Sequence, residues 1–290
     1  MNSRKVSESV AAVPPRDARS WLLVPGTRTH DLDERIRVHG PDAVVLDLED
    51  GVAPGDRARA RDEVHDWAAR GGRAWIRVNA ATTADWGVDL DFASRCPGIV
   101  GVVLAKAESA DQIDATAAAL GDFDGGLIAL IESATGVLEA VSIARTNSLT
   151  RLAFGSGDFR HDTAATDDSA TVMGARAHLV LASRSAGLPA PIDGPSLAAD
   201  ADGLRAYCRR SITTGMGGML CVKPEHVRAI NTGFAPSPEE VRDARDLLDR
   251  RTDSIDGSYL PRLRAAEAIL DRARRYRIAA VDDTRMSMSR

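Results

Sequence analysis

The chain has 290 residues, a formal net charge of −5, 44% hydrophobic and 27% charged residues. Those proportions describe a folded globular chain and give no electrostatic case for nucleic-acid binding. No apolar run approaches the ~20 residues of a membrane helix, the first twenty residues lack the apolar core of a signal peptide, and a cytoplasmic protein is expected.

Residues 1–18 read as a flexible, polar leader. From there short apolar runs alternate with longer amphipathic ones, and the spacing predicts strands at Trp21–Val24, Ala43–Leu48, Ala74–Val78, Ile99–Leu104, Leu127–Ile131 and Leu149–Phe154. Each is rich in Val, Ile and Leu without polar alternation, as strands buried on both faces of a parallel sheet read. Helices are expected between them. Arg57–Ala69 has Ala60, Val64, Trp67 and Ala68 at helical spacing, and Ser109–Leu120 opens on an N-cap serine. Ala134–Ala144 reads as one helix with Val137, Leu138, Val141 and Ala144 on one side, and Met173–Ala186 stops at Gly187. Ala190–Ile192 and Gly217–Val222 complete about eight strand-like segments, the arithmetic of a (β/α)8 TIM barrel over 19–232. A doubly wound sheet fits less well, because the first strand runs into Pro25-Gly26-Thr27-Arg28 and not into a Gly-rich dinucleotide turn. Residues 233–290 read as a C-terminal helical extension with a loose tail. Ser237 is placed as N-cap before Pro238, and a last helix is expected from about Leu260 to Tyr276.

In such a barrel the C-terminal strand ends share one mouth. They carry Arg28; Asp47, Glu49 and Asp50; Arg77; Lys106; Glu132; Gly157 and Asp158; and Lys223. Five acids and four cations gathered there are costly to desolvate without a ligand. Two carboxylates from neighbouring strands, completed by water and substrate oxygens, suit Mg²⁺, which makes Glu132 and Asp158 the expected metal ligands. Asp158 could instead cap the next helix, and Asp47 reads equally as a structural partner. Arg77 closes an apolar strand and asks for an anion, so it is assigned to substrate. Only three of the 37 basic residues are lysines (Lys5, Lys106, Lys223). Lys106 could be a Schiff-base nucleophile, but the carboxylates around it favour an ion-pairing or anion-binding role. His30, His161, His178 and His226 show no metal-ligand spacing, and Cys96, Cys208 and Cys221 suggest neither disulfides nor zinc.

Eight collinear blocks then carry a resemblance: WLLVPGTR, DAVVLDLEDGVAP, WIRVNA, GVVLAKAES, ALIESATGVLEA, RLAFGSGDF, SRSAGLPAPIDGP and GMLCVKPEHVRAINTGFAPSPEEV. From about Ser20 to about Arg250 the chain resembles the citrate lyase β-subunit-like CoA-ester lyases of the HpcH/HpaI aldolase superfamily. The resemblance implies a (β/α)8 barrel that cleaves or forms a small 3-hydroxyacyl-CoA thioester, such as citryl-, malyl- or citramalyl-CoA, with Mg²⁺. The products would be an acyl-CoA and a 2-oxo acid. It places metal ligands on Glu132 and Asp158, the substrate arginine on Arg77 and a supporting acidic pair on Glu49 and Asp50. Main-chain N–H groups near Gly157 and Asp158 would hold the small acid, and Arg28 would meet CoA phosphates. It also implies a homo-oligomer, commonly a trimer, with a C-terminal acid/base Asp supplied across subunits. This chain departs from the pattern there: the region reads Asp256-Gly257-Ser258-Tyr259, so Asp256 is displaced from the usual position. A free 2-oxo acid aldolase and a partner-dependent, non-catalytic subunit are the alternative readings.

Overall fold

The computed structural model describes residues 13–167, 169–198, 200–249 and 259–278. Among them, eight parallel strands close into a barrel in sequence order, with the first paired to the last. The strands are β1 (Ser20–Pro25), β2 (Ala43–Asp47), β3 (Ala74–Val78), β4 (Ile99–Leu104), β5 (Gly126–Ile131), β6 (Arg151–Phe154), β7 (Ile192–Asp193) and β8 (Gly218–Cys221). The helices that return the chain are α1 (Leu32–His39), α2 (Arg57–Ala69), α3 (Asp85–Arg95) and α4 (Ala110–Leu120) in the first half. In the second half come α5 (Ala134–Leu138), α6 (Ala140–Ala144), α7 (Ser156–Thr163), α8 (Ala170–Ser185) and α9 (Ala201–Thr214). This is a (β/α)8 TIM barrel followed by α10 (Val227–Gly233), α11 (Pro238–Asp249) and α12 (Tyr259–Arg275).

Strand side chains alternate between faces, and the inward set here is Trp21, Val45, Trp75, Val103, Ile128, Leu130, Ala153, Ile192 and Leu220. Trp21 and Trp75 meet edge to face at 5.3 Å. Room for Trp75 comes from β4 and β5, where a Cβ at Gly101 or Gly126 would overlap its ring. Trp75→Ala is therefore expected to leave a cavity no neighbour can fill and to cost about 3–5 kcal/mol, measured by urea unfolding. The opposite end of the barrel is closed by Arg151, almost without exposure, which donates to the carbonyls of Pro15, Ala18 and Ala190.

The helix α2 buries the four expected residues, Ala60, Val64, Trp67 and Ala68, and Ser109 caps α4 by accepting from the Gln112 N–H. The stretch expected as one helix over Ala134–Ala144 is two. Glu139 takes φ −87°, ψ 0°, the helix breaks, and the buried face becomes Gly136, Ala140, Ile143 and Ala144 while Leu138 is 78% exposed. Helix α8 starts three residues earlier than expected because Ser169 caps it, accepting from the Val172 N–H.

The chain separates into two compact units between Thr232 and Gly233. Within the second, α11 and α12 pack on each other and bury Val241, Ala244, Ala266 and Ala273. Ser237 and Glu240 form a reciprocal capping box at 2.7 and 3.1 Å. No helix among the described residues is long and apolar enough to cross a membrane.

Candidate active site

The inward files that build the core run on into the site. Two residues beyond Val45 on β2 is Asp47, two beyond Trp75 on β3 is Arg77, and two beyond Leu130 on β5 is Glu132. Asp47 and Arg77 are register partners on adjacent strands. The Arg77 Nε and Nη2 each donate to one Asp47 carboxylate oxygen at 2.7 Å, a buried bidentate pair. Asp47 also accepts from the N–H groups of Glu49 (3.0 Å) and Gly51 (2.8 Å). The carboxylate thus folds the turn after β2 and aims Arg77 at once. Burial works against the guanidinium's charge, but the hydrogen bond to Asp47 and the charges of Asp47, Glu49 and Glu132 overcome it and push its pKa further up.

Glu49 is buried and Asp50 exposed on that turn. Both accept from the Lys106 ammonium, Asp50 at 3.0 Å. The Glu49 Oε2 lies 3.2 Å from Arg77 Nη1 without making a hydrogen bond. Burial raises the Glu49 pKa despite the opposing Arg77 charge and Lys106 bond, whereas at Asp50 partial burial is outweighed by Lys106 and the pKa falls. For Lys106 itself, burial is outweighed by bonds to Glu49 and Asp50, so it stays charged. This favours the ion-pairing role over a neutral amine nucleophile. Lys106 has φ +50°, a left-handed conformation costly for a residue with a side chain. That conformation turns its N–H onto the Glu132 Oε1 at 2.8 Å.

Glu132 follows β5 directly and is 4% exposed. A Cβ at position 155 would overlap its carboxylate, so Gly155 makes the room it occupies. Asp158 sits in the first turn of α7, four residues after β6 ends. Burial is the main cause that raises the Glu132 carboxyl to about 8; Arg77 opposes it, and the Asp158 and Glu49 charges add to it. The unfolded carboxyl ionises near 4.5, so between these values the metal-free folded protein holds an extra proton. The stability this confers is complete below about pH 4.5 and lost as pH rises towards about 8. Glu132→Gln cannot ionise and is expected to flatten that part of the profile, as urea titrations across the window will show.

The structure brings Asp47, Glu49, Asp50, Arg77, Lys106 and Glu132 into one bonded cluster, with Asp158 close enough to act on Glu132. It does not bring in two expected cations. Arg28 is exposed and bonded to none of these groups, and Lys223 Nζ reaches the Ala198 carbonyl at 3.4 Å. Five acids then face two cations, an imbalance that a hard divalent ion would reduce. Among the described residues no group of three or more His, Cys, Asp or Glu side chains is arranged to hold a metal. Glu132 and Asp158, the expected ligands, offer oxygen donors of the type a hard ion such as Mg²⁺ takes, with further positions filled by small-molecule oxygens. Gly157 is exposed in the first turn of α7, where N–H groups have no intrahelical acceptor. Asp256 lies outside the described residues. A cavity of about 600 Å³ opens beside this face, lined by Arg160, Asp167, Ser196, Leu197, Tyr207 and Arg210.

Of the two readings of Asp47, the structure favours the structural one, since it bonds neighbouring backbone and Arg77. One contribution was not foreseen: Asn79 ties the β3 end to the neighbouring turn by donating to the Leu48 carbonyl (3.0 Å) and to Asp89 (2.7 Å). The signal for it was a polar residue closing an apolar run.

Comparison with known proteins identifies the family. The family HpcH/HpaI aldolase/citrate lyase matches residues 19–224, and the HpcH/HpaI aldolase C-terminal domain matches 239–277. The L-malyl-CoA/beta-methylmalyl-CoA lyase of Cereibacter sphaeroides is 30% identical over 277 residues, covering 82% of this chain and 85% of that protein. A (3S)-malyl-CoA thioesterase from the same species is 33% identical over 233 residues, covering 77% and 79%. Among solved structures, protein CitE from Mycobacterium tuberculosis in complex with magnesium, acetoacetate and coenzyme A superposes with a TM-score of 0.74 at 27% identity, covering 89% of this chain and 99% of that one. The chain belongs to the HpcH/HpaI aldolase/citrate lyase family.

Proposed function

We propose that the chain is a Mg²⁺-dependent CoA-ester lyase that cleaves or forms a small 3-hydroxyacyl-CoA, exchanging it for an acyl-CoA and a 2-oxo acid. The observation that carries this reading is the buried Glu132 carboxylate, held by the Lys106 N–H at 2.8 Å and acted on by the Asp158 charge. Glu132 and Asp158 would hold the ion. When bound, Mg²⁺ supplies Lewis acidity at the oxygen that becomes the keto group. Arg77, fixed by Asp47 and permanently charged, offers its charge to the thioester enolate or a substrate carboxylate. Glu49 and Asp50 hold the Lys106 ammonium over the same mouth. The N–H groups of Gly157 and Asp158 at the start of α7 suit the carboxylate of the small acid, and Arg28 is assigned to CoA phosphates. A cytoplasmic homotrimer completes the reading; the family resemblance supports the trimer, and the location is the expectation drawn from the sequence.

The test is product analysis with malyl-, citramalyl- and citryl-CoA. The expected result is an acyl-CoA together with a 2-oxo acid, abolished by a chelator and restored by Mg²⁺. Free CoA plus a hydroxy acid would mean thioester hydrolysis, the activity in the name of one relative, and would overturn the lyase reading. Aldol product from pyruvate and an aldehyde, with no turnover of thioesters, would overturn it in favour of the aldolase alternative.

A further inference from the structure

We propose that the cavity of about 600 Å³ between α7 and α9 is a second binding site, separate from the barrel mouth, for a small organic carboxylate with an apolar body. The inference goes beyond the lyase reading and does not depend on it.

The charged groups in the cavity wall are Arg160 of α7, Arg210 of α9 and Asp167, so two cations face one acid. Arg210 is the compensated cation. Its Nη2 donates to the Asp167 Oδ2 at 2.9 Å, and its guanidinium lies over the Tyr207 ring, 4.4 Å from the centroid. That ring is a fixed platform, because Tyr207 is buried and its hydroxyl accepts from Arg176 Nη2 at 2.6 Å. Arg176 itself is fully buried and paired with Asp193 at 2.9 and 3.1 Å, so it adds no net charge. Arg160 is the uncompensated cation. Its Nε donates to the Ser156 carbonyl at 3.0 Å, which fixes the guanidinium against its own helix. The terminal N–H groups of Arg160 have no acceptor among the described residues. A half-buried guanidinium held in one orientation without an acid is a fork for a carboxylate.

The rest of the wall suits the body of such an acid. The buried Ser196 hydroxyl accepts from the Ala198 N–H at 3.2 Å and keeps its own hydrogen to donate. Pro195, Leu197, Ala206 and the Tyr207 ring supply apolar surface. Leu197 is 67% exposed, so an apolar group laid on it removes area from water. The volume is that of a pocket for a small organic molecule. One surplus positive charge matches one carboxylate, and a di- or triacid would bring charge with no partner. The position also separates this site from the ion. Asp158 and Arg160 are two residues apart on α7, about 200° around the helix axis, so the cavity lies against the side of α7 opposite the carboxylate assigned to Mg²⁺.

Benzoate titrated into the full chain and followed by ligand-observed NMR is the test, with benzyl alcohol as the same ring without the charge. The expected result is saturable benzoate binding, weakened about tenfold or more by Arg160→Gln, weaker for benzyl alcohol, and unaffected by Mg²⁺ with oxaloacetate. Ala206→Phe fills the cavity from α9 and leaves both arginines in place. It is expected to abolish benzoate binding, and it decides the matter should Arg160→Gln not fold. Absence of saturable binding, wild-type affinity in the folded variants, or displacement by Mg²⁺ with oxaloacetate would each overturn the proposal. None of these results touches the product analysis with thioesters, so the lyase reading stands or falls separately.

Discussion

Glu132→Gln is expected to weaken Mg²⁺-linked binding of oxaloacetate by at least about 100-fold, beyond what loss of an outer-shell contact does, while the protein remains folded. The amide keeps the shape of the side chain and an oxygen to accept from the Lys106 N–H, so the local bond at 2.8 Å survives. What is lost is one of two charges that can face a hard cation, and ligand charge count governs affinity at oxygen sites. Burial, with the Asp158 and Glu49 charges, pushes the wild-type carboxyl up to about 8 against the pull of Arg77. Binding the ion must therefore expel a proton, and calorimetry in buffers of different ionisation enthalpy will show that release for the wild type. Asp158→Asn is expected to lose binding as well. Full Mg²⁺-linked binding in either variant would remove that residue from the ion's ligands.

Arg77→Lys is expected to lower kcat/KM by about 10²–10³ and to change Mg²⁺ affinity far less. Lysine keeps the charge but presents a single point donor, so it cannot reproduce the two parallel bonds to Asp47 and still reach a substrate. The conservative change matters for interpretation. Arg77→Met would leave Asp47 buried without its counter-charge, at a cost of about 3–5 kcal/mol, and activity loss would then be confounded with unfolding. Steady-state kinetics of Arg77→Lys beside a melting curve will separate the two. Unchanged kcat/KM would show that the Arg77–Asp47 pair only closes the barrel.

What was legible in the chain was whatever depends on neighbours in sequence. The apolar runs marked the strands, the spacing of Ala60, Val64, Trp67 and Ala68 marked the buried face of α2, and Ser109 and Ser237 marked helix starts. Charges whose partners lie far along the chain were not legible. Asp193 reads as a loop residue and ends β7 only because Arg176, 17 positions earlier, neutralises it. Asp47 reads ambiguously until Arg77, 30 positions on, is seen to grip it. The same holds within the site: the strand ends named the residues, but not that Arg28 stays in solvent, that Lys223 turns to Ala198, or that Lys106 adopts a left-handed backbone. The break at Glu139 was hidden as well, because Ala134–Ala144 has the composition of a continuous helix and only packing shows Leu138 pointing outward.

The unbroken inward file on β3 ties chemistry to folding. Shifting that strand by one position against β2 would exchange Trp75 and Arg77 for Ile76 and Val78 on the lumen side. The tryptophan plug and the guanidinium would leave the interior together, and Asp47 would lose its partner in the same movement. A misaligned barrel consequently cannot persist as a stable but inactive impostor, because the error that silences the mouth also empties the middle.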